Sequence, residues 1–166
     1  MEKIVLIFIF LTSFCFENSF KNGHKAYQNG EYKKASELFK QGCDSGYALS
    51  CSFLGFLYFN GQGVKQDYKK AIKLFKKGCD GGDAESCTAL GVLYNYGKGV
   101  KRDYNKASKF YKKGCDGKIA ESCYDFGLLY NTGEGVSQNK SLAKEYFNKA
   151  CDLGYQRSCN IDIKLN

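Results

Sequence analysis

The sequence predicts an all-α protein, a right-handed α-solenoid of antiparallel helix pairs with one disulfide in each repeat. Three observations lead there. Landmark residues return every 36 positions, with Ala35, Ala71, Ala107 and Ala143 in register and Phe39, Phe75, Tyr111 and Phe147 following them. A period of that length marks a stack of small units that share a core with their neighbours. Within each period, apolar residues fall at helical spacing. A pair of cysteines eight positions apart recurs with the same period, inside "KQGCDSGYALSC", "KKGCDGGDAESC", "KKGCDGKIAESC" and "NKACDLGYQRSC".

The chain begins "MEKIVLIFIFLTSFCF", a Lys, an apolar run from Ile4 to Leu11, then small and polar residues. This is the layout of a secretory signal peptide, and the run is too short to anchor the chain across a bilayer. Ser13 and Cys15 satisfy the small-residue rule before a cut, which places cleavage after Cys15 and makes residues 1–15 the leader. Phe14, bulky where lipoprotein sites carry a small residue, argues against lipid attachment at Cys15. The chain has nine cysteines. An odd count in an exported protein needs a reason. Removing Cys15 leaves eight, all in the repeated pairs, in a secreted or periplasmic setting where disulfides persist. Residues 16–21 are expected to be a short exposed N-terminus, and 22–166 the repeat array.

The units fall at about 22–47, 48–83, 84–119 and 120–155, with a C-terminal helix at 156–166. In "DYKKAIKLFKKGCD", Tyr68, Ala71, Leu74, Phe75 and Gly78 lie three and four apart, the spacing of an amphipathic helix. Gly81 and Gly82 end it. In "AESCTALGVLYN", Ala84, Cys87, Gly91 and Tyr94 form the stripe of a second helix. Gly91 gives a neighbouring helix room to approach, since a mid-helix glycine otherwise costs ~1 kcal/mol. The glycines of "NGQGV", "YGKGV" and "TGEGV" end the second helix of their units.

Eight residues along one straight helix separate two Cα atoms by ~12 Å, and a disulfide needs them within about 7 Å. A bridged pair therefore fits a tight helical hairpin, one cysteine ending the first helix and the other one turn into the second. The predicted bridges are Cys43–Cys51, Cys79–Cys87, Cys115–Cys123 and Cys151–Cys159. Structural zinc sites separate paired cysteines by about two to four residues, so no metal is expected. The single histidine, His24, lies outside the pairs and reads as a first-helix surface residue.

The formal charge of +8 is almost wholly lysine. Lys69, Lys70, Lys73, Lys76 and Lys77 share one side of a helical wheel, a solvated face that also attracts anionic polymers or acidic partners. No nucleic-acid motif is present.

The spine LG..Y..G.GV..D..KA identifies a resemblance to the Sel-one-like repeat, a relative of the tetratricopeptide repeat. Leu54-Gly55, Tyr58, Gly61, Gly63-Val64, Asp67 and Lys70-Ala71 carry it first. Leu90-Gly91, Tyr94, Gly97, Gly99-Val100, Asp103 and Lys106-Ala107 carry it again. The third copy has Phe126-Gly127, Tyr130, Gly133 and Gly135-Val136, with Asn139 in place of aspartate and Leu142 before Ala143. With a cysteine pair in every repeat, the chain resembles the secreted cysteine-rich proteins of gastric epsilonproteobacteria, described as penicillin-binding proteins or slow beta-lactamases. That resemblance implies binding or hydrolysis of penicillin- or cephalosporin-type beta-lactams, hence antibiotic resistance, and contact with cell-wall peptide or host proteins. It implies no cofactor.

The residues themselves supply no catalytic motif. Serine beta-lactamases use S-x-x-K with S-D-N and K-T-G. Ser137–Lys140 and Ser141–Lys144 match the first string, as chance allows in a chain this rich in lysine, and neither of the others occurs. The catalytic residue is therefore unknown. The alternative is a non-enzymatic monomeric scaffold whose groove holds peptide, peptidoglycan fragments or a host protein. Asn95 and Asn131, recurring at the end of the groove-side helix, are its candidate ligand contacts.

Overall fold

The computed structural model describes residues 18–161. The leader expected at 1–15, residues 16 and 17 of the expected N-terminus and the last five residues lie outside that span. Eight α-helices occupy it: α1 (18–28), α2 (Tyr32–Asp44), α3 (Ala48–Asn60), α4 (Tyr68–Asp80), α5 (Ala84–Tyr96), α6 (Tyr104–Asp116), α7 (Ala120–Thr132) and α8 (Lys140–Asp152). A 3-10 turn follows at Gln156–Ser158, and no strand occurs among the described residues. The all-α class and the cysteine clips are as the sequence predicts.

The chain forms two compact units that meet in sequence between Gly81 and Gly82. In the first, α3 packs between α2 and α4; in the second, α5 packs on α6, and α7 lies between α6 and α8.

Side-chain caps set the starts of α4, α5, α6 and α8. The carboxylates of Asp67 and Asp103 accept the backbone N–H of Lys70 and Lys106, each at 3.0 Å, and Asn139 accepts that of Leu142 at 2.9 Å. The asparagine that departs from the repeat spine thus does the same work, as asparagine and aspartate cap equally well. Opposite them, α3, α5 and α7 each end on a left-handed glycine, Gly61, Gly97 and Gly133.

The repeated glycine inside each second helix has a specific purpose. A methyl group on Gly55 would stand 2.8 Å from the Phe75 ring, and one on Gly127 would stand 2.9 Å from the Phe147 ring. Gly91 meets Tyr111 in the same way. The buried aromatic of each first helix therefore lies directly on bare backbone, removing roughly 2–3 kcal/mol worth of apolar surface from water. A second small-residue contact explains the "GC" and "SC" pairs: Gly42 faces Ser50, and Gly114 faces Ser122. The Ser122 hydroxyl donates to the Tyr111 carbonyl at 3.0 Å.

Beside these contacts, the Cα atoms of Cys43 and Cys51 come within 4.6 Å, those of Cys115 and Cys123 within 4.5 Å and those of Cys151 and Cys159 within 4.9 Å, each pair bonded. Cys79 and Cys87 are each in a disulfide as well.

Four expectations change. The second helices are not buried along one stripe: α7 buries Ser122 and Cys123 as well as Leu129 and Gly127, because helices flank it on two sides. Residues 18–21 are helical rather than an exposed tail, since Phe20 packs on Phe39, Tyr47 and Phe53. His24 is half-buried, its ring edge-on to Phe53 at 5.5 Å. The helix expected from 156 is a single 3-10 turn within the described span; "NIDIKLN" after Cys159 lacks the Leu-Gly and aromatic residues that give α3, α5 and α7 their buried faces.

Replacing both Cys115 and Cys123 by alanine is expected to cost about 2.5 kcal/mol, the entropy of closing a loop of that length, read as a lower urea midpoint with unchanged slope. Gly127→Ala should cost about 1–3 kcal/mol by forcing the Phe147 ring off its seat; an unchanged midpoint would show that the ring has room to move.

Candidate functional site

The loop after each second helix folds back through one main-chain bond. The N–H groups of Asp67, Asp103 and Asn139 donate to the carbonyls of Tyr58, Tyr94 and Tyr130, each at 2.9 Å. The cap residue of one helix is thereby tied to the tyrosine nine positions earlier, which accounts for the fixed spacing of Tyr and Asp in the spine. The second glycine of the following loop then seats on the start of the preceding first helix. Gly135, with φ +69, lies against the Tyr104 carbonyl, and Gly63, with φ +68, against the Tyr32–Lys33 peptide. A side chain at either position would overlap backbone.

Each seat borders a cleft. In the second unit it measures about 690 Å3 and opens between Tyr94, the Val100–Lys106 segment and Gly135. Tyr94 is stacked on Phe110 with an interplanar angle of 10°. Lys106 sits over the Tyr94 ring at 5.3 Å and pairs with Asp103 at 3.2 Å. The Lys106 N–H and ammonium both hold the Asp103 carboxyl below the usual range. Arg102 lies over the Tyr104 ring at 5.2 Å. No ion pair joins Lys101 or Arg102 to a carboxylate among the described residues; the lining carries Lys101, Arg102 and Lys106 against Asp103, with the Glu134 carboxylate nearby accepting from the Tyr104 hydroxyl.

The first unit has a cleft of about 490 Å3 in the corresponding place, at the start of α2. Lys33 and Lys34 are balanced there by Glu31 and Glu37, with Lys34 and Glu31 paired at 3.0 Å. Only the second cleft carries net positive charge.

A different arrangement lies between α6 and α7. Tyr111 is 1% exposed, and its hydroxyl has no hydrogen-bond partner in bonding geometry. It faces the Asp125 carboxyl, a mostly buried group. Burial pushes the Asp125 carboxyl up to about 6, with Glu121 adding in the same direction and the Tyr111 hydroxyl opposing. Burial likewise raises the Tyr111 phenol, followed by the charge of Asp125 and the Tyr96 hydroxyl.

The repeat itself decides the family. The sequence profile of the Sel1 repeat matches residues 48–83, 84–118 and 120–155. The chain belongs to the Sel1 repeat family. Among solved structures it is similar to the cysteine-rich protein HcpB of Helicobacter pylori, with 32% identity, 86% of this chain and 96% of that one covered, and a TM-score of 0.60. It is also similar to c5321, a protective antigen of uropathogenic Escherichia coli displaying an SLR fold, with 30% identity and a TM-score of 0.83 over 87% of this chain and 32% of that one. A 52-residue stretch is 44% identical to HcpE of Helicobacter pylori, named as a proposed beta-lactamase; it covers 31% of this chain and 15% of HcpE.

The sequence candidates are scattered over this Sel1 repeat chain. Neither Asn95 nor Asn131 lines the positive cleft. The Asn131 backbone carbonyl, not its amide, takes part in the loop, accepting Gln138 Nε2 at 2.8 Å; Phe59 does the same for Gln66 at 2.8 Å. The Asn95 amide oxygen is buried without a partner. Ser137 is exposed in the loop before α8, and Ser141 is exposed in its first turn. Cys43–Cys51 and Cys115–Cys123 close helical hairpins, Cys151–Cys159 ties α8 to the 3-10 turn, and none of these borders a cleft described above. No described helix is long and apolar enough to cross a membrane.

Sequence reasoning missed Tyr111 and Asp125, although the repeat register flags both. Tyr111 aligns with Phe39, Phe75 and Phe147, and Asp125 with Phe53 and Ala89.

The raised carboxyl makes a pH prediction. A group raised in the folded state contributes stability that is fully present below its unfolded value and lost as pH rises through its folded value. Asp125 should therefore make the protein more stable by about 1–3 kcal/mol as pH falls from 7 to 4. Glu31, Asp44 and Asp103, all lowered, act oppositely, holding stability that is lost only as pH falls through their still lower folded values. Urea titrations across this window should show the gain in the parent chain and its absence in Asp125→Asn.

Proposed function

We propose that this protein is an extracytoplasmic, disulfide-clipped binding module that holds carboxylate-bearing peptide, cell-wall peptide foremost, in the cleft at the start of α6. Residues 1–15 serve as its cleaved export leader. The observation that carries the reading is the pairing of Lys101 and Arg102, without carboxylate partners, with the aromatic faces of Tyr94 and Tyr104. A guanidinium held over a ring is pre-oriented for two-point contact with a carboxylate, and the rings offer apolar cover to the adjoining residue. The overall charge of +8 draws such ligands in.

The match to HcpE favours a second reading, in which the bound carboxylate belongs to a beta-lactam and the ring amide is hydrolysed. Nothing near the cleft resembles an activated serine, and the exposed Ser137 and Ser141 make no bond to a lysine among the described residues. Binding without turnover is therefore the reading the geometry supports better.

Calorimetric titration of a soluble peptide ending in D-Ala-D-Ala tests it. The free acid should bind at least about fivefold more tightly than its C-terminal amide, and the double variant Lys101→Ala, Arg102→Ala should erase that difference, the scale of one partly exposed charge contact. Equal affinity for acid and amide would sink the proposal. A chromogenic cephalosporin should show saturable binding and no turnover; hydrolysis that persists with chelator present and is lost on substitution of a cleft residue would establish the second reading instead.

A further inference from the structure

The last cysteine clip is built unlike the others. Cys43, Cys51, Cys79, Cys87, Cys115 and Cys123 are all in disulfides and at most 5% exposed. In the bridge from Cys151 to Cys159, the first residue is half-buried and the second is exposed. The cause lies in one column of the repeat, where Gly42, Gly78 and Gly114 are followed by Ala150. A methyl group on Gly114 would overlap Ser122, whose hydroxyl donates to the Tyr111 carbonyl of the facing helix at 3.0 Å. Ala150 carries that methyl, so Ser158 is denied the equivalent seat. Its hydroxyl turns back on its own segment, donating to the Tyr155 carbonyl at 2.6 Å. Cys51 and Cys123 sit inside 13-residue helices, whereas Cys159 follows a three-residue turn. Reaching an inner sulfur requires local unfolding; reaching Cys159 requires only approach from solvent.

We propose that Cys151–Cys159 is a thiol–disulfide exchange site for an external dithiol, and that exchange there opens the end of the second unit while the other clips stay closed. One thiolate of the dithiol attacks the exposed Cys159 Sγ and forms a mixed disulfide with it. The electron pair of the broken S–S bond leaves on Cys151 Sγ, which takes a proton from solvent. The second thiolate then attacks the dithiol's own sulfur in the mixed disulfide, and Cys159 Sγ leaves with its electron pair and is protonated in turn. The protein is reduced by two electrons and the dithiol is oxidised to a disulfide. The turn is then held by the Tyr155 N–H bond to the Ala150 carbonyl at 2.9 Å, the Tyr155 ring against Tyr124 at 5.0 Å and the buried Ser158. Its release uncovers Tyr124 and Ala150, which pack beside Cys115 and Cys123. An apolar edge that the oxidised protein covers is thereby placed under redox control. None of these residues lines the cleft at the start of α6, so the two proposals stand or fall separately.

The test is timed reduction of the folded, oxidised full chain, with thiols trapped by iodoacetamide and mapped by peptide mass. Dithiothreitol serves as a small dithiol and reduced thioredoxin as a protein one. With at least one of them, Cys151 and Cys159 should be labelled roughly tenfold or more faster than any other cysteine. Which reagent is faster per thiolate identifies the source of the dithiol. Glutathione, a monothiol that stops at the mixed disulfide, should be found on Cys159 about threefold or more over Cys151. After selective reduction, the amides of Tyr155 and Ser158 should lose hydrogen-exchange protection while those of α6 and α7 keep theirs. The double variant Cys151→Ser, Cys159→Ser should keep its helical circular dichroism and lack the fast labelling. Labelling of all eight cysteines at one rate, faster labelling of an inner clip, glutathione mainly on Cys151, or unchanged protection at Tyr155 and Ser158 would each overturn the proposal.

Discussion

Close approach of helix backbones is the constraint on which both units depend, met by an aromatic ring on bare glycine toward the following helix and by serine over glycine toward the preceding one. With Phe75 on Gly55 and Phe147 on Gly127, the packed helices stand too close for ordinary side chains at the crossing. A second close approach, of α2 to α3 and of α6 to α7, leaves room only for Ser50 over Gly42 and for Ser122 over Gly114. It also carries Cys115 and Cys123 to a Cα separation of 4.5 Å. The disulfide is therefore a clip on an approach that small residues already permit. In thin, repeat-built cores such covalent support replaces burial that a thicker domain would supply.

Much of this was legible because a repeat states each requirement several times. The 36-residue period, the hairpin position of the cysteines and the need for glycine at 91 follow from spacing and chain geometry, and the structure has all three. Legibility failed where residues stood outside the repeated columns. Phe20 anchors α1 through partners at 39, 47 and 53 that no local pattern reveals. The helix expected at 156–166 extends the register past the last Leu-Gly pair, and the described part of that stretch is a 3-10 turn at Gln156–Ser158. Asn95 and Asn131 stand in a repeated column, and the recurrent loop bond at 131 uses a backbone carbonyl that any residue provides. The cleft was hidden because its walls, Tyr94, Arg102 and Gly135, come from three separate stretches of sequence.

Both polar sites arise as local departures from a common scaffold. The clefts at α2 and α6 share their glycine seat and helix start, and differ in whether carboxylates balance the lysines. Tyr111 keeps the ring of its column and adds one oxygen to it. Asp125 replaces an apolar residue opposite. Scaffold positions and chemistry-bearing positions are thus largely separable, which lets a repeat vary its ligand without disturbing its packing.

The seating of Gly135 on the backbone at Tyr104 means that the recess at α6 has contributors from two successive repeats. An excised repeat would own half of one. Appending a repeat, by contrast, completes a recess as well as extending the helices. Ligand valency in such an array grows with the number of junctions rather than the number of modules, so lengthening the chain by duplication is a direct route from weak single contacts to avid capture of a polymeric target.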